Sequence, residues 1–266
     1  MSRFDSAFRS LFDRLVGRAW SRAGAVAEVL SRGVARRVLT TSVRFGYLVA
    51  GSALIALSVS ITFWTQLGPG PLDVFIGAVS GRTGLPLAVA VWVTVGSLIL
   101  LATLLGRRPG VGTVLSPFII GPVLGAAVHT LERFDAPDTL MVTIPLQLVA
   151  IAGIGLGAGM LIVSGLGAGS GELLAGAGSD RTGRTESVVR FGFEMTWVII
   201  GVALGGPAGL GTLLVAALVG PSVENGYRVA DRWAERAHRR VASAHASIVD
   251  RDIERLNRSL VDTMPR

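Results

Sequence analysis

Residues 67–84, LGPGPLDVFIGAVSGRTG, return 99 positions later as residues 166–183, LGAGSGELLAGAGSDRTG. The ungapped match extends over residues 67–122 and 166–221, where 18 of the 56 aligned pairs are identical. Its later anchors are a GxGT motif at 110–113 and 209–212 and a Gly-Pro pair at 121–122 and 220–221. Because biased composition does not keep several different motifs in one register, the pattern indicates an internal duplication.

The composition indicates a membrane protein. Half of the 266 residues are hydrophobic and only 16% are charged, against about 25% in soluble proteins. The chain has no cysteine and three histidines. These values exclude a soluble enzyme, a disordered chain and a disulfide scaffold, as well as zinc sites of the Cys/His type. We therefore expect no cofactor, no metal and no enzyme activity.

Six apolar runs are long enough to cross a bilayer, which takes about 20 helical residues. They are residues 45–66, 85–106, 111–131, 139–171, 187–205 and 210–227. Each copy of the duplication contains three runs, so the second copy must enter the membrane from the opposite side. The sequence therefore predicts an all-α polytopic membrane protein whose six transmembrane helices form two inverted three-helix repeats, with amphipathic cytoplasmic tails.

Arginine placement predicts the orientation of these spans. With both termini in the cytoplasm, 23 of the 25 arginines lie on the cytoplasmic side, as the positive-inside rule requires. In the alignment of the two copies, Arg107 and Arg108 correspond to the uncharged Gly206 and Pro207. This difference agrees with the two loops lying on opposite sides of the membrane. The predicted boundaries are an N-terminal segment 1–44, repeat 1 at 45–131, an outer loop 132–138, repeat 2 at 139–227 and a helical tail 228–266.

The first candidate site lies after the first span of each copy. If Gly70 is an N-cap, Pro71 opens a short half-helix and Asp73 is its third residue; Gly169 and Glu172 occupy the equivalent positions. Two interpretations remain open. Each acid could complete a helix start through the helix dipole, or the two acids could line a substrate cavity between the repeats.

The other candidates are the GxGT threonines and the intramembrane charges. Thr113 and Thr212 either begin helices and pack or face a substrate. Arg190 and Glu194 are four residues apart on a predicted helix, so Glu194 is either half of a static ion pair or a coupling site. Glu224 lies near the cytoplasmic end of the sixth span and is favoured as a boundary residue. The Gly-Pro pairs are expected to kink or break their spans.

Taken in order, the motifs resemble the YczE/YyaS/YitT family of bacterial integral membrane proteins, in particular its YczE-like branch. The matching stretches are LGPGPLDV, GAVSGRTG, PGVGT and IIGP in copy one, and GLGAGSGELL, GGPAGLGT and LVGP in copy two. The resemblance covers residues 45–227 and leaves out both tails. It implies a multi-pass protein of the bacterial plasma membrane.

Two main functions fit these features. The leading hypothesis is a small-molecule permease or exporter that works by alternating access of the two repeats. The alternative is a non-transporting scaffold that docks a biosynthetic or envelope complex through its Arg-rich tails, and a lipid-modifying enzyme is a third, weaker option. The expected partners are anionic lipid at the cytoplasmic face, an unidentified small-molecule substrate and further copies of the chain, with no nucleic acid.

Overall fold

The computed structural model describes residues 41–262, with side chains as far as residue 236, and this part of the chain is helical without strands. Its helices are α1 Thr41–Trp64, α2 Pro71–Thr83, α3 Leu87–Leu104, α4 Val111–Leu131, α5 Leu140–Ser164, α6 Ser170–Thr182, α7 Glu186–Ala203 and α8 Leu210–Asp262. Each helix from α5 to α8 begins 99 residues after its counterpart from α1 to α4.

Parts of both predicted tails lie outside the described residues. Of the N-terminal segment predicted over 1–44, only the last four residues are described, and they form the start of α1. The tail is helical as far as Asp262, as predicted, and it continues α8 without a boundary at residue 227. The side chains of this tail beyond residue 236 lie outside the described part.

Four helices are long and apolar enough to cross a membrane, namely α1, α3, α4 and α5. These match the first four predicted spans. The fifth predicted span corresponds to α7, whose 18 residues include Glu186, Arg190 and Glu194. The sixth corresponds to the start of α8, whose apolar stretch ends at Glu224 and Asn225. Charge in α7 and early polarity in α8 therefore separate these two helices from the other four.

The short helices α2 and α6 confirm the half-helices predicted after the first span of each copy. Both have 13 residues, and their N-caps are Gly70 and Gly169. Both end at a glycine in the left-handed region, with φ of 69° at Gly84 and 66° at Gly183. The RTG motif is therefore a helix terminator, because glycine adopts positive φ without a steric penalty.

The Gly-Pro pairs do not break their helices. α4 continues through Pro117 and Pro122, and α8 continues through Pro221. A proline inside a helix removes one backbone donor, which neighbouring helices can accommodate in a membrane protein. Here α3 packs closely on α4: the Trp92 indole Nε1 donates to the Pro117 carbonyl at 3.0 Å, and Gly121 leaves the space that this ring occupies.

Glycines bring α5 into backbone contact with two other helices. A methyl group at Gly157 would lie 2.7 Å from the Gly51 carbonyl oxygen of α1. A methyl group at Gly159 of α5 would overlap the backbone of α8 at Gly226 and Tyr227. These glycines therefore serve tight helix packing, and α5 lies between α1 and α8.

Contacts between helix ends define two ends of the bundle. We call the end of the bundle that holds Arg44 and Ala230 the tail end, and the opposite end the far end. At the tail end, Arg44 Nε donates to the Ser164 carbonyl at 2.7 Å, and the Tyr47 hydroxyl approaches the Ala230 carbonyl to 3.5 Å. At the far end, Trp64 Nε1 donates to the Phe134 carbonyl at 3.2 Å. The start of α1 and the part of α8 that follows residue 227 therefore lie at the same end.

Candidate functional site

The two halves of the chain exchange backbone hydrogen bonds at equivalent positions. The Gly112 N–H donates to the Leu166 carbonyl at 2.8 Å, and the Gly211 N–H donates to the Leu67 carbonyl at 2.6 Å. Residues 67 and 166 are 99 apart, as are residues 112 and 211. The segment that follows the first long helix of each half therefore pairs with the GxGT helix start of the other half.

The two threonines of these motifs are buried at the crossings. Thr113 is 1% exposed, and its hydroxyl donates to the Ala168 carbonyl at 2.5 Å. Thr212 is 4% exposed, and its hydroxyl accepts from the Gly209 N–H at 3.2 Å. Gly68, at φ 107°, leaves the space next to the Thr212 hydroxyl. Both threonines contact the crossing backbone, and their predicted role towards a substrate stays a prediction.

Each predicted acid folds back over the N-cap glycine of its own short helix. A Cβ atom at Gly70 would lie 3.0 Å from Asp73 Oδ2, and one at Gly169 would overlap the Glu172 carboxylate. This explains the spacing of glycine and acid, because a side chain at the N-cap would compete with the carboxylate for the first turn. The carboxylates also lie at the positive ends of their helices.

The chain neighbours of the two acids meet in one apolar cluster that contains residues of both halves. Leu173, next to Glu172, is 6% exposed and belongs to a core cluster with Leu98 of α3. Leu72, next to Asp73, packs against the same cluster. The structure therefore brings the first turns of α2 and α6 to a common set of side chains.

Glu172 belongs to an ion-pair cluster with both charged residues predicted within the fifth span. Arg190 Nη1 lies 2.6 Å from Glu172 Oε1, and Arg190 Nε lies 3.0 Å from Glu194 Oε1. The side chains are 25% exposed for Arg190, 35% for Glu172 and 18% for Glu194. The predicted pair is present, and it gains a second acid that the sequence spacing alone did not connect to it.

The first half has no equivalent cluster. The positions 99 residues before Arg190 and Glu194 are Val91 and Val95, which are 2% and 9% exposed. Among the described residues no ion pair to Asp73 is present. The two equivalent acids therefore lie in different electrostatic settings: Glu172 beside a guanidinium, and Asp73 on a helix that packs against apolar side chains.

Gln147 is a buried polar residue of α5 that the sequence analysis did not single out. It is 0% exposed. Its Nε2 donates to the Gly68 carbonyl at 3.0 Å, and its Oε1 accepts from the Thr65 hydroxyl at 3.0 Å. It thus holds the segment that leads into α2. The sequence signal that could have identified Gln147 is a single amide in an otherwise apolar run, because polar side chains inside a membrane form hydrogen bonds across helices.

A second missed contact joins the two halves at the tail end. Arg107 Nε donates to Asp180 Oδ2 at 2.7 Å, and Arg107 Nη2 donates to Asp180 Oδ1 at 3.2 Å. This hydrogen bonding lowers the pKa of the Asp180 carboxyl from its ordinary value of 3.8. The side chains are 40% and 58% exposed, so the pair lies at the surface, at the end of α3 and the end of α6.

The remaining predicted residue and the surface cavities lie apart from this region. Glu224 Oε1 lies 2.6 Å from Arg228 Nη2 on the same helix, and Arg228 is well exposed. Two shallow cavities of about 410 and 560 Å³ are present in the described part. Both lie along α4, between α4 and α3 in one case and between α4 and α1 in the other, and neither is lined by Asp73 or Glu172.

Four apolar helices of spanning length, two of which pack on each other through glycines, define a helical membrane protein with transmembrane helices. The model of a family of unknown function, DUF6198, matches residues 24–129 and again residues 124–226. The chain belongs to this family, which also confirms the resemblance to the YczE/YyaS group.

Two relatives from Bacillus subtilis strain 168 are similar to the chain. The uncharacterized membrane protein YczE is 31% identical over 181 residues, which cover 66% of this chain and 82% of YczE. The uncharacterized protein YyaS is 24% identical over 180 residues, which cover 66% of this chain and 89% of YyaS. No solved structure matches the chain.

Proposed function

We propose that this protein is a small-molecule permease or exporter in which two inverted three-span repeats give alternating access to a site between them. The proposal assigns the chain no catalytic step and no cofactor. Transporters of this plan bind their substrate near the bilayer midplane, at the interface between the repeats and at the ends of short or broken helices. Here α2 and α6 are the short helices.

The reciprocal hydrogen bonds Gly112–Leu166 and Gly211–Leu67 carry this proposal. Each bond joins the two halves, and one is converted into the other by a shift of 99 residues. Such an exchange is what a two-fold axis between two copies of one unit produces. The double match of the family model, at 24–129 and 124–226, supports the same interpretation.

A six-span arrangement requires α7 and the first part of α8 to cross the membrane. The pairing of Arg190 with Glu172 and Glu194 supports this for α7, because intramembrane charges that face the protein and pair are tolerated. The approach of Tyr47 to Ala230 supports both tails on one side. We assign that side to the cytoplasm, and the bilayer to the plasma membrane, from the arginine distribution.

Within this proposal Asp73 and Glu172 line the path, with Gly70 and Gly169 giving their carboxylates room. Glu194 is the coupling residue, since it shares Arg190 with Glu172. Protonation of Glu194 changes the net charge of this three-residue cluster and leaves Glu172 as its one charged acid. Thr113 and Thr212 fix the crossing segments against which α2 and α6 begin.

Topology is the first test, and the natural chain has no cysteine. Single-cysteine variants Arg108→Cys and Ala208→Cys, in sealed right-side-out vesicles, are treated with a membrane-impermeant maleimide. Inverted repeats require that only one of them is labelled before the vesicles are opened. Labelling of both from the same side contradicts the proposal.

Transport is the second test. Proteoliposomes loaded with the pH dye pyranine are exposed to fractions of a bacterial small-molecule extract. We expect at least one fraction to give a proton signal with the wild type that is lost in Glu194→Gln and kept in Glu224→Gln, since Glu224 pairs with the exposed Arg228 of its own helix. A signal of equal size in empty liposomes, or in all variants, contradicts a coupled carrier.

One observation favours a second candidate function, that of a docking scaffold. α8 continues for 35 residues beyond Tyr227 as one helix, which at 1.5 Å per residue extends roughly 50 Å. Such a helix is suited to hold a partner at a distance from the bilayer. A scaffold requires that deletion of residues 237–266 abolishes function while Asp73→Asn and Glu194→Gln do not; a carrier requires the reverse.

A further inference from the structure

An equivalent hydrogen bond between the two halves is present at each end of the bundle. Arg82 Nε donates to the Leu204 carbonyl at 3.2 Å at the far end, and Arg181 Nε donates to the Leu105 carbonyl at 3.3 Å at the tail end. Residues 82 and 181 are equivalent, and so are residues 105 and 204. The arginine of each RTG motif thus caps the C-terminus of a helix in the other half.

The ion pair between Arg107 and Asp180 has no counterpart at the far end. The positions equivalent to Arg107 and Asp180 are Gly206 and Gly81, which carry no side chain to form it. The Arg107 guanidinium lies directly over Gly176 of α6, where a methyl group would overlap it. At the equivalent Gly77 the neighbours are the uncharged rings of Phe63 and Pro207.

We propose that the Arg107–Asp180 pair is a one-sided latch that holds α3 and α6 together at the tail end of the bundle. This inference rests on the proposed alternating access, in which the two halves separate at one end at a time. Opening at the far end breaks the hydrogen bond from Arg82 to Leu204. Opening at the tail end breaks the equivalent hydrogen bond from Arg181 and the latch as well. The latch therefore shifts the equilibrium away from the state that is open at the tail end.

The expected size of this bias is small, because both side chains are exposed. An exposed ion pair changes an equilibrium by about fivefold at most. The bidentate geometry, at 2.7 and 3.2 Å, favours the upper part of that range.

Two equivalent alanines report on the two ends. Ala177 of α6 is 0% exposed and packs against α3, and Ala78 of α2 is 3% exposed. In an otherwise cysteine-free chain, the thiols introduced by Ala177→Cys and Ala78→Cys become reactive towards a water-soluble maleimide only when their end opens. The measurement is the labelling rate at position 177 divided by that at position 78, made in nanodiscs of bacterial lipid so that both faces are accessible.

We expect Arg107→Gln and Asp180→Asn each to raise this ratio of labelling rates by about two- to fivefold. The charge exchange Arg107→Asp with Asp180→Arg should return the ratio towards the wild-type value. Arg108→Gln is the matched control, since it removes an exposed neighbouring charge, and it should leave the ratio unchanged.

The latch is refuted if the ratio stays within experimental error in both single variants, if Arg108→Gln has the same effect as Arg107→Gln, or if both rates rise together. Failure of the latch and failure of transport are distinguishable. An unchanged ratio in a variant set that transports refutes the latch alone, and the expected ratios without flux refute the transport proposal alone. No labelling at either position in any variant refutes both.

Discussion

Removal of the central arginine should destabilise the protein more than removal of all three charges of its cluster. Arg190→Gln leaves Glu172 and Glu194 close together without the guanidinium between them. Breaking a buried ion pair from one side costs about 3–5 kcal/mol. Since the Arg190 side chain is 25% exposed, we expect about 2–3 kcal/mol here, or a fall in Tm of roughly 4–12 °C for a chain of this size.

The assay is thermal unfolding in detergent, followed by circular dichroism at 222 nm and by the monodisperse fraction after heating. The informative comparison is the triple variant Glu172→Gln, Arg190→Gln, Glu194→Gln. It removes the uncompensated charges together with the arginine, and replacing a whole buried ion pair is often close to neutral. The triple variant should therefore melt above the single one.

A melting temperature of Arg190→Gln equal to that of the wild type would contradict this reasoning, because it would mean that water screens the cluster. A triple variant less stable than the single one would also contradict it, since the cluster would then be a net source of stability.

Three further predictions concern packing, hydrogen bonding and pH. Gly159→Ala should cost about 1–3 kcal/mol, because the methyl group overlaps backbone of α8, whereas Gly192→Ala, which has open space, should be neutral or stabilising in the same melting assay. Gln147→Leu should cost about 1–3 kcal/mol in this assay by leaving the buried Gly68 carbonyl unsatisfied, whereas the Thr65 hydroxyl keeps a partner in the Thr62 carbonyl. The stabilisation by Asp180, whose pKa is lowered below 3.8 by its arginine partner, should be present above that pH and lost as the pH falls through the lowered value, so the Tm difference between wild type and Asp180→Asn should vanish in acid.

The positions of the short helices could be predicted because their ends depend on local chemistry. Pro71 at the first helical position, Gly70 before it and Gly84 after it give the bounds of α2 without reference to the rest of the chain. The first four spans were predictable for a similar reason, since length and apolarity are properties of the segment itself. The charged α7 and the polar continuation of α8 do not have these properties, so the segments alone do not define them as spans.

The contacts between the halves could not be predicted from the sequence. The duplication aligns the two GxGT motifs with each other, but it does not say that Gly112 meets Leu166 and not a residue of its own half. Glu172 and Arg190 are 18 positions apart and on different helices, so helical spacing linked Arg190 only to Glu194. Gln147 and Arg107 act through tertiary contacts at separations of 70 residues or more.

The comparison of equivalent positions separates two kinds of residue. Arg82 and Arg181, which are identical in the two halves, make the same contact twice and therefore hold the two units together at both ends. The charged residues without an equivalent, Arg107, Asp180 and Arg190, make contacts that occur once. A device built from two equal halves has no preferred direction of its own, because each contact at one end is balanced at the other. The unmatched charges are one source of a difference between the two ends, and variants of Arg107, Asp180 and Arg190 therefore test the direction and coupling of the proposed carrier.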